Sequence, residues 1–203
     1  MDRARGLVTT RDGGMRIGIA HHLGWAVAIT ASNDHVVVDR RRMELIEPGL
    51  PNAPIHHEGG PHLLHRHGEP LEDDALAALV AKVRASVVRA TSAALDDLAG
   101  ALPGSIASMS LRALPAEFPA EIALQRRVPY ESRADSVMYV RVLAELGEDR
   151  GWAIHFYDAK QVEDEAARRL GERADEVLHG PRAALGPPWT KDHRTALAAT
   201  VVT

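Results

Sequence analysis

With 203 residues, 45% of them hydrophobic and none of them cysteine, the chain can bury one substantial core but cannot form disulfides, thiolate metal sites or a cysteine nucleophile. Its formal net charge of −4 argues against a general polyanion binder, which carries an obvious basic face. No run approaches the roughly 20 apolar residues that cross a bilayer, and the basic opening residues lack an apolar stretch, so a cytoplasmic protein without a membrane partner is expected.

Residues 1–14 are polar, end on Gly13 and Gly14, and read as a flexible tail ahead of one domain over residues 15–203. Two β-rich runs, residues 16–20 and 25–31, flank Gly24 and predict a hairpin. Asn33 and Asp34 make the next turn. Residues 35–46, rich in valine and then alternating Met43 and Leu45 with Arg42 and Glu44, predict a third strand. Residues 47–70 contain too many prolines and glycines for a regular element, and a loop this long inside a compact domain points to function. Leu76, Leu79, Val80, Val83 and Val87 recur at helical spacing and predict a long amphipathic helix over residues 72–100.

Residues 105–114 predict a fourth strand, followed after Pro115 by a short helix around residues 119–127. Ser132 and Asp135 form a capping-box pattern that opens a helix ending near Gly151. Residues 152–157 predict a fifth strand. Asp158 then caps a helix ending at Gly171, a short helical stretch runs to Gly180, and Thr190 caps a final helix. Consecutive strands favour antiparallel pairing, whereas strands separated by helices pair in parallel through right-handed crossovers. The expected fold is α/β, a mixed five-stranded sheet made of an antiparallel three-strand meander plus two parallel strands, with helices on both faces. Neither GxGxxG nor GxxxxGK occurs.

This order resembles the ribonuclease H-like superfamily in its Holliday-junction-resolvase layout, across nearly the whole chain from Met15. The resemblance implies an opening strand carrying a first metal-binding acid, and Ile17, Gly18 and Ile19 fit it while Ala20 stands where that acid belongs. A second family acid closes the fourth strand, where Met109, Ser110 and Leu111 lead to Arg112. A third opens the last helix, and Lys191, Asp192 and His193 ahead of Thr195, Ala196, Leu197 and Ala198 do resemble that acid-led, alanine-rich helix. The ending over residues 185–193 also resembles that of bacterial sequences with this layout. Two divalent cations held about 3.5–4 Å apart need several carboxylates, so Ala20 and Arg112 speak against the standard metal chemistry, and a divalent metal lacks the support of the standard motif.

Three groups of residues are candidates for chemistry. Between residues 56 and 67 lie five of the eleven histidines, and His57, Glu58 and His62 are of a type that binds transition metals, although the spacing matches no metal signature and a solvated polar loop accounts for it equally. Asp158 and Lys160 follow the fifth strand, and Lys191, Asp192 and His193 open the last helix. Strand ends and a helix N-terminus together form the usual anion-binding crevice of an open α/β sheet, with Lys160 and Lys191 as the anion-binding residues; the alternative is a pair of ordinary helix starts. His21 and His22 follow the position that lacks its acid, and alternation sends only one of them into the crevice. The arginines at 40–42 are expected on a solvated edge.

Two functions from different classes follow. One is a binding or regulatory module for an anionic small molecule, nucleic acid or protein partner. The other is a metal-dependent phosphodiesterase or other hydrolase in which His57, Glu58, Asp158, Asp192 and His193 replace the missing acids and His57, Glu58, His62 and Asp192 supply metal ligands.

Overall fold

The computed structural model describes residues 14–60 and 69–203; the tail expected over the first residues, except for Gly14, and His62 of the histidine-rich segment lie outside the described residues. Strands β1 (Met15–His21), β2 (Trp25–Ala31) and β3 (Val37–Glu44) form the antiparallel meander. Strands β4 (Ile106–Arg112) and β5 (Ala153–Tyr157) join it in parallel, giving the sheet order β3-β2-β1-β4-β5. Gly24, at φ +88°, takes the left-handed position in the β1–β2 turn, which glycine adopts without a steric penalty. The third strand begins at Val37, two residues later than its valine content predicts, because Ser32 holds a turn: its backbone N–H donates to Val36 O and its hydroxyl accepts from Val36 N–H. Side-chain capture of backbone groups by serine competes with the ladder.

Alternation along β1 divides the core. Ile17 and Ile19 pack with Ala26 and Ala28 of β2 beneath the long helix α1 (Asp73–Ala101). Helix α3 (Glu131–Glu148), which follows the single-turn α2 (Ile122–Gln125), covers the same face through Tyr139, Val142 and Leu143. The opposite face carries Ala20, Val27 and Ile29 and is covered by α4 (Val162–Leu170), the short α5 (Ala174–His179) and, beyond the one-turn α6 (Pro181–Leu185), the final helix α7 (Lys191–Val201). Central strands buried on both faces read as nearly continuous apolar runs, as β1 and β2 do.

Helix α7 lies unusually close to the sheet. Ala196, Ala198 and Ala199 are fully buried, and a Cβ added to Gly18 would stand 1.8 Å from the Ala196 carbonyl oxygen. Small residues on both sides permit that approach, and the approach fixes where the first turn of α7 meets the strand ends.

Three local expectations are corrected. The proline-rich segment contains one π-helical turn, Ile55–Gly59, and Asp135 does not form a capping box with Ser132. Instead the buried Asp135 carboxylate accepts the backbone N–H groups of Ile55 and His56 at 3.1 and 2.9 Å. Burial pushes this carboxyl up to about 6, against the lowering effect of those two hydrogen bonds. Asp158 likewise does not cap α4 directly: its side chain accepts from Lys160 N–H at 2.8 Å and its carbonyl from Val162 N–H at 2.9 Å, closing a turn one step ahead of the helix. Thr190 does open α7, in a reciprocal capping pair with His193.

The close approach of α7 makes a sharp contrast between two glycines. Gly18→Ala is expected to destabilise the protein by about 3 kcal/mol or more in urea unfolding, since backbone must move to admit the methyl group. Gly100→Ala, within α1 and with nothing inside 4 Å of its Cβ, is expected to be neutral or to stabilise by about 0.5–1 kcal/mol. Equal effects at the two positions would refute the tight β1–α7 contact.

Candidate functional site

The carboxyl ends of β1, β4 and β5 open into a crevice of about 700 Å³, walled by α3 on one side and the first turn of α7 on the other. Ala20 and Arg112 lie in it side by side with Asp158, Lys160, Lys191 and Asp192, so the strand-end residues and the helix start converge. Their convergence follows from topology. Parallel strands direct β1, β4 and β5 to finish at one edge, and Gly18 holds α7 against that edge.

Four cationic side chains line the crevice: Arg112 at the end of β4, Arg133 from α3, Lys160 after β5 and Lys191 at the start of α7. Among the described residues none of the four forms an ion pair with a carboxylate. Only Asp158 and Asp192 oppose them. A chain of net charge −4 therefore carries a local excess of positive charge in this crevice.

Each carboxylate is held by one oxygen. Asp158 Oδ1 accepts from Lys160 N–H, and Asp192 Oδ2 lies 3.1 Å from His22 Nε2. His22 in turn stacks on Trp25 at 4.1 Å between ring centroids, and the Arg42 guanidinium lies 3.9 Å from the Trp25 ring centre. The remaining oxygens, Asp158 Oδ2 and Asp192 Oδ1, make no hydrogen bond among the described residues.

The neighbouring His21 is buried, 3% exposed, and its Nε2 is 2.9 Å from the hydroxyl of Ser136 on α3. Burial first, then the Arg112 guanidinium and His22, push its pKa down to about 3. The ring is therefore neutral near neutral pH. Its Nδ1 is buried without a partner, which favours the tautomer that leaves Nδ1 a bare acceptor, Nε2–H donating to Ser136 Oγ. In that arrangement the serine proton is free to point into the crevice. Tyr157 closes the floor, its hydroxyl donating to Ile19 O at 2.7 Å, and burial drives that phenol upward.

The sequence candidates separate into three places. Asp158, Lys160, Lys191 and Asp192 share the crevice. His193 does not line it: its Nδ1 accepts from the Thr190 N–H at 3.2 Å, and its ring lies against Trp189. His57 and Glu58 sit on the π-helical turn, also outside the crevice lining, and His62 is outside the described residues. The arginines at 40–42 are engaged locally. Arg40 donates to the Gly186 and Pro188 carbonyls, Arg41 pairs with Asp39 and Asp97, and Arg42 pairs with Glu44.

Arg133, Ser136 and the use of Arg112 escape sequence reasoning. Arg112 is visible as the end of a strand, but nothing local brings α3 to it. Of the two histidines only His21 lines the crevice, as alternation predicts, while His22 contacts Asp192 from outside the lining. Tested against a two-metal centre, the residues do not fit. Ala20 supplies no oxygen, Arg112 brings a positive charge to the position of an acid, and among the described residues no group of three or more histidines and acids is placed to hold a metal ion.

No family model matches the sequence, and no curated protein matches it. Among solved structures the chain is similar to Thermus thermophilus RuvC in complex with a Holliday junction substrate, at a TM-score of 0.50 and 11% identity over 93% of this chain and 90% of that one. A second Thermus thermophilus RuvC structure is similar at a TM-score of 0.43 and 13% identity, over 92% and 91% of the two chains. At such identities the likeness speaks for architecture alone. The five-stranded mixed sheet, its meander and parallel pair, and the helices on both faces are those of the ribonuclease H-like fold.

Proposed function

We propose that this chain is a binding module in which the ribonuclease H-like crevice takes an anionic, phosphate-bearing ligand in place of a divalent metal pair. The observation that carries this reading is the set of four cationic side chains, from four different segments, that line one crevice and among the described residues form no ion pair with a carboxylate. The N-terminal end of α7, positive by the alignment of its peptide dipoles, adds a favourable field for an anion, and Lys191 is positioned in that same turn. His21 in the wall is kept neutral first by burial and then by Arg112, which opposes its protonation.

Inorganic phosphate is expected to raise the melting temperature. At about 100 times Kd, preferential binding to the folded state adds about 2.7 kcal/mol, roughly 5–10 °C for a chain of this size. Lys191→Ala and Arg112→Ala should each reduce the shift while leaving ligand-free stability nearly unchanged, since both residues are exposed and unpaired. An unaltered melting temperature in saturating phosphate would refute the anion reading.

The burial of His21, with Arg112 beside it, has its own signature in the pH dependence of stability. Between pH 3 and 6.5 the unfolded chain binds a proton at His21 and the folded chain does not, so stability falls as pH drops through that window. Asp135 acts oppositely between 3.8 and about 6, because its raised pKa lets the folded chain bind the extra proton. His21→Gln keeps a polar partner for Ser136 and removes only the first effect. Its destabilisation at pH 7 should therefore shrink on acidification, by up to about 1.4 kcal/mol per pH unit between pH 6 and 4. Urea unfolding of both proteins at pH 7, 6, 5 and 4 measures this, and a pH-independent difference would mean that His21 is not held neutral.

A further inference from the structure

The ligand class can be taken further, resting on the anion-binding reading of the same crevice. We infer that the crevice recognises a compact phosphate monoester that also carries hydroxyl or amino groups, of the sugar phosphate or mononucleotide kind, rather than a nucleic-acid strand.

The first reason lies in the carboxylates. Asp158 and Asp192 stand among the four cations, each with one oxygen engaged by the protein and the other without a partner among the described residues. An ionised carboxylate only accepts hydrogen bonds. A ligand that satisfies the whole lining must therefore present donors to these two oxygens and negative charge to the cations. A monoester of a polyhydroxylated molecule has both, separated along one small body. The Ser136 hydroxyl, with its own oxygen engaged by His21, adds a neutral donor to the anionic end.

The second reason is the missing track. A strand of nucleic acid repeats its charge every few ångströms and needs a run of free cations leading away from any one site. Arg40, Arg41 and Arg42 form the densest basic cluster of the sequence, yet each is engaged by carbonyls or carboxylates of the protein. Of the arginine pairs at 126–127 and 168–169, Arg126 is bound to Asp73 and Arg169 to Glu165. The chain as a whole is acidic. A strand laid through the crevice would also bring phosphates to Asp158 and Asp192, which repel them. The crevice volume, about 700 Å³, is of the order that encloses small ligands, which occupy sites of about 300–1,000 Å³.

Calorimetric titration with four probes tests this: methyl phosphate, ribose 5-phosphate, adenosine 5′-monophosphate and a single-stranded octanucleotide without terminal phosphates. Ribose 5-phosphate is expected to bind about tenfold or more tighter than methyl phosphate, as charge-assisted hydrogen bonds to two carboxylates allow. The octanucleotide should bind more weakly than either monoester at physiological salt. A further gain for the nucleotide over ribose 5-phosphate would assign the ligand as a mononucleotide, and equal binding would assign a sugar phosphate. Asp158→Asn and Asp192→Asn retain an oxygen for Lys160 N–H and for His22 while removing charge and the second acceptor. They should bind methyl phosphate more tightly than the wild type does and lose most of the preference for ribose 5-phosphate, two changes of opposite sign that general loss of structure cannot produce. If methyl phosphate binds in a Lys191-dependent manner but ribose 5-phosphate binds no tighter, or the octanucleotide binds best, the small-ligand inference fails and the anion reading stands. If methyl phosphate does not bind at all, both fail.

Discussion

The closeness of α7 to the sheet governs the rest of this structure. A glycine in the centre of β1 and a run of alanines on α7 let backbone meet backbone, with the Ala196 carbonyl filling the space where a Cβ at position 18 would stand. Helices pack at distances set by the side chains between them, and removing those side chains draws the elements together. The result is a helix whose first turn projects over the strand ends instead of beyond them. Glu163 of α4 holds the same turn from outside, accepting from the Thr195 hydroxyl and pairing with Arg194. Lys191 and Asp192 thus reach a crevice that β1, β4 and β5 open from below.

On that scaffold the charge at the strand ends decides what the crevice can attract. Ala20 and Arg112 occupy strand-end positions at which the ribonuclease H-like resemblance implies acids. A crevice lined by carboxylates concentrates cations, whereas one lined by Arg112, Arg133, Lys160 and Lys191 concentrates anions, with the same backbone in either case. The buried His21 responds to the same field, being kept neutral by burial and by Arg112. Its hydrogen bond to Ser136 ties β1 to α3 at the crevice wall.

The opposite end of the Ser136 helix turn shows how a buried charge is put to structural use. Asp135 is 1% exposed, and its carboxylate receives two backbone N–H groups from the π-helical turn. Those N–H groups belong to the irregular start of a turn and have no helical partner of their own, so an acid from α3 satisfies them. The turn that carries His57 and Glu58 is thereby fastened to α3, close in sequence to Ser136 but separate from the crevice lining.

Strand alternation, helical spacing and the Gly and Pro breaks were enough to specify five strands, their mixed pairing and the helices between them, because those signals are local and repeat along each element. The same was true of Thr190 as a helix start and of Asp158, Lys160, Lys191 and Asp192 as residues at strand and helix ends. The misreadings arose where a side chain found a distant partner in place of a near one. Asp135 has the spacing of a capping residue, yet the turn at Ile55 lies opposite it in space and claims its carboxylate. Arg133 and Ser136 carry no local mark at all, since they enter the crevice only because α3 crosses the ends of β1 and β4. Local patterning was sufficient for the elements, and the side chains at the ends of β1 and β4, Ala20 and Arg112, are read directly from the sequence. Which cations share one crevice follows from the packing of β4, α3, the turn after β5 and α7, which brings together side chains up to 79 residues apart.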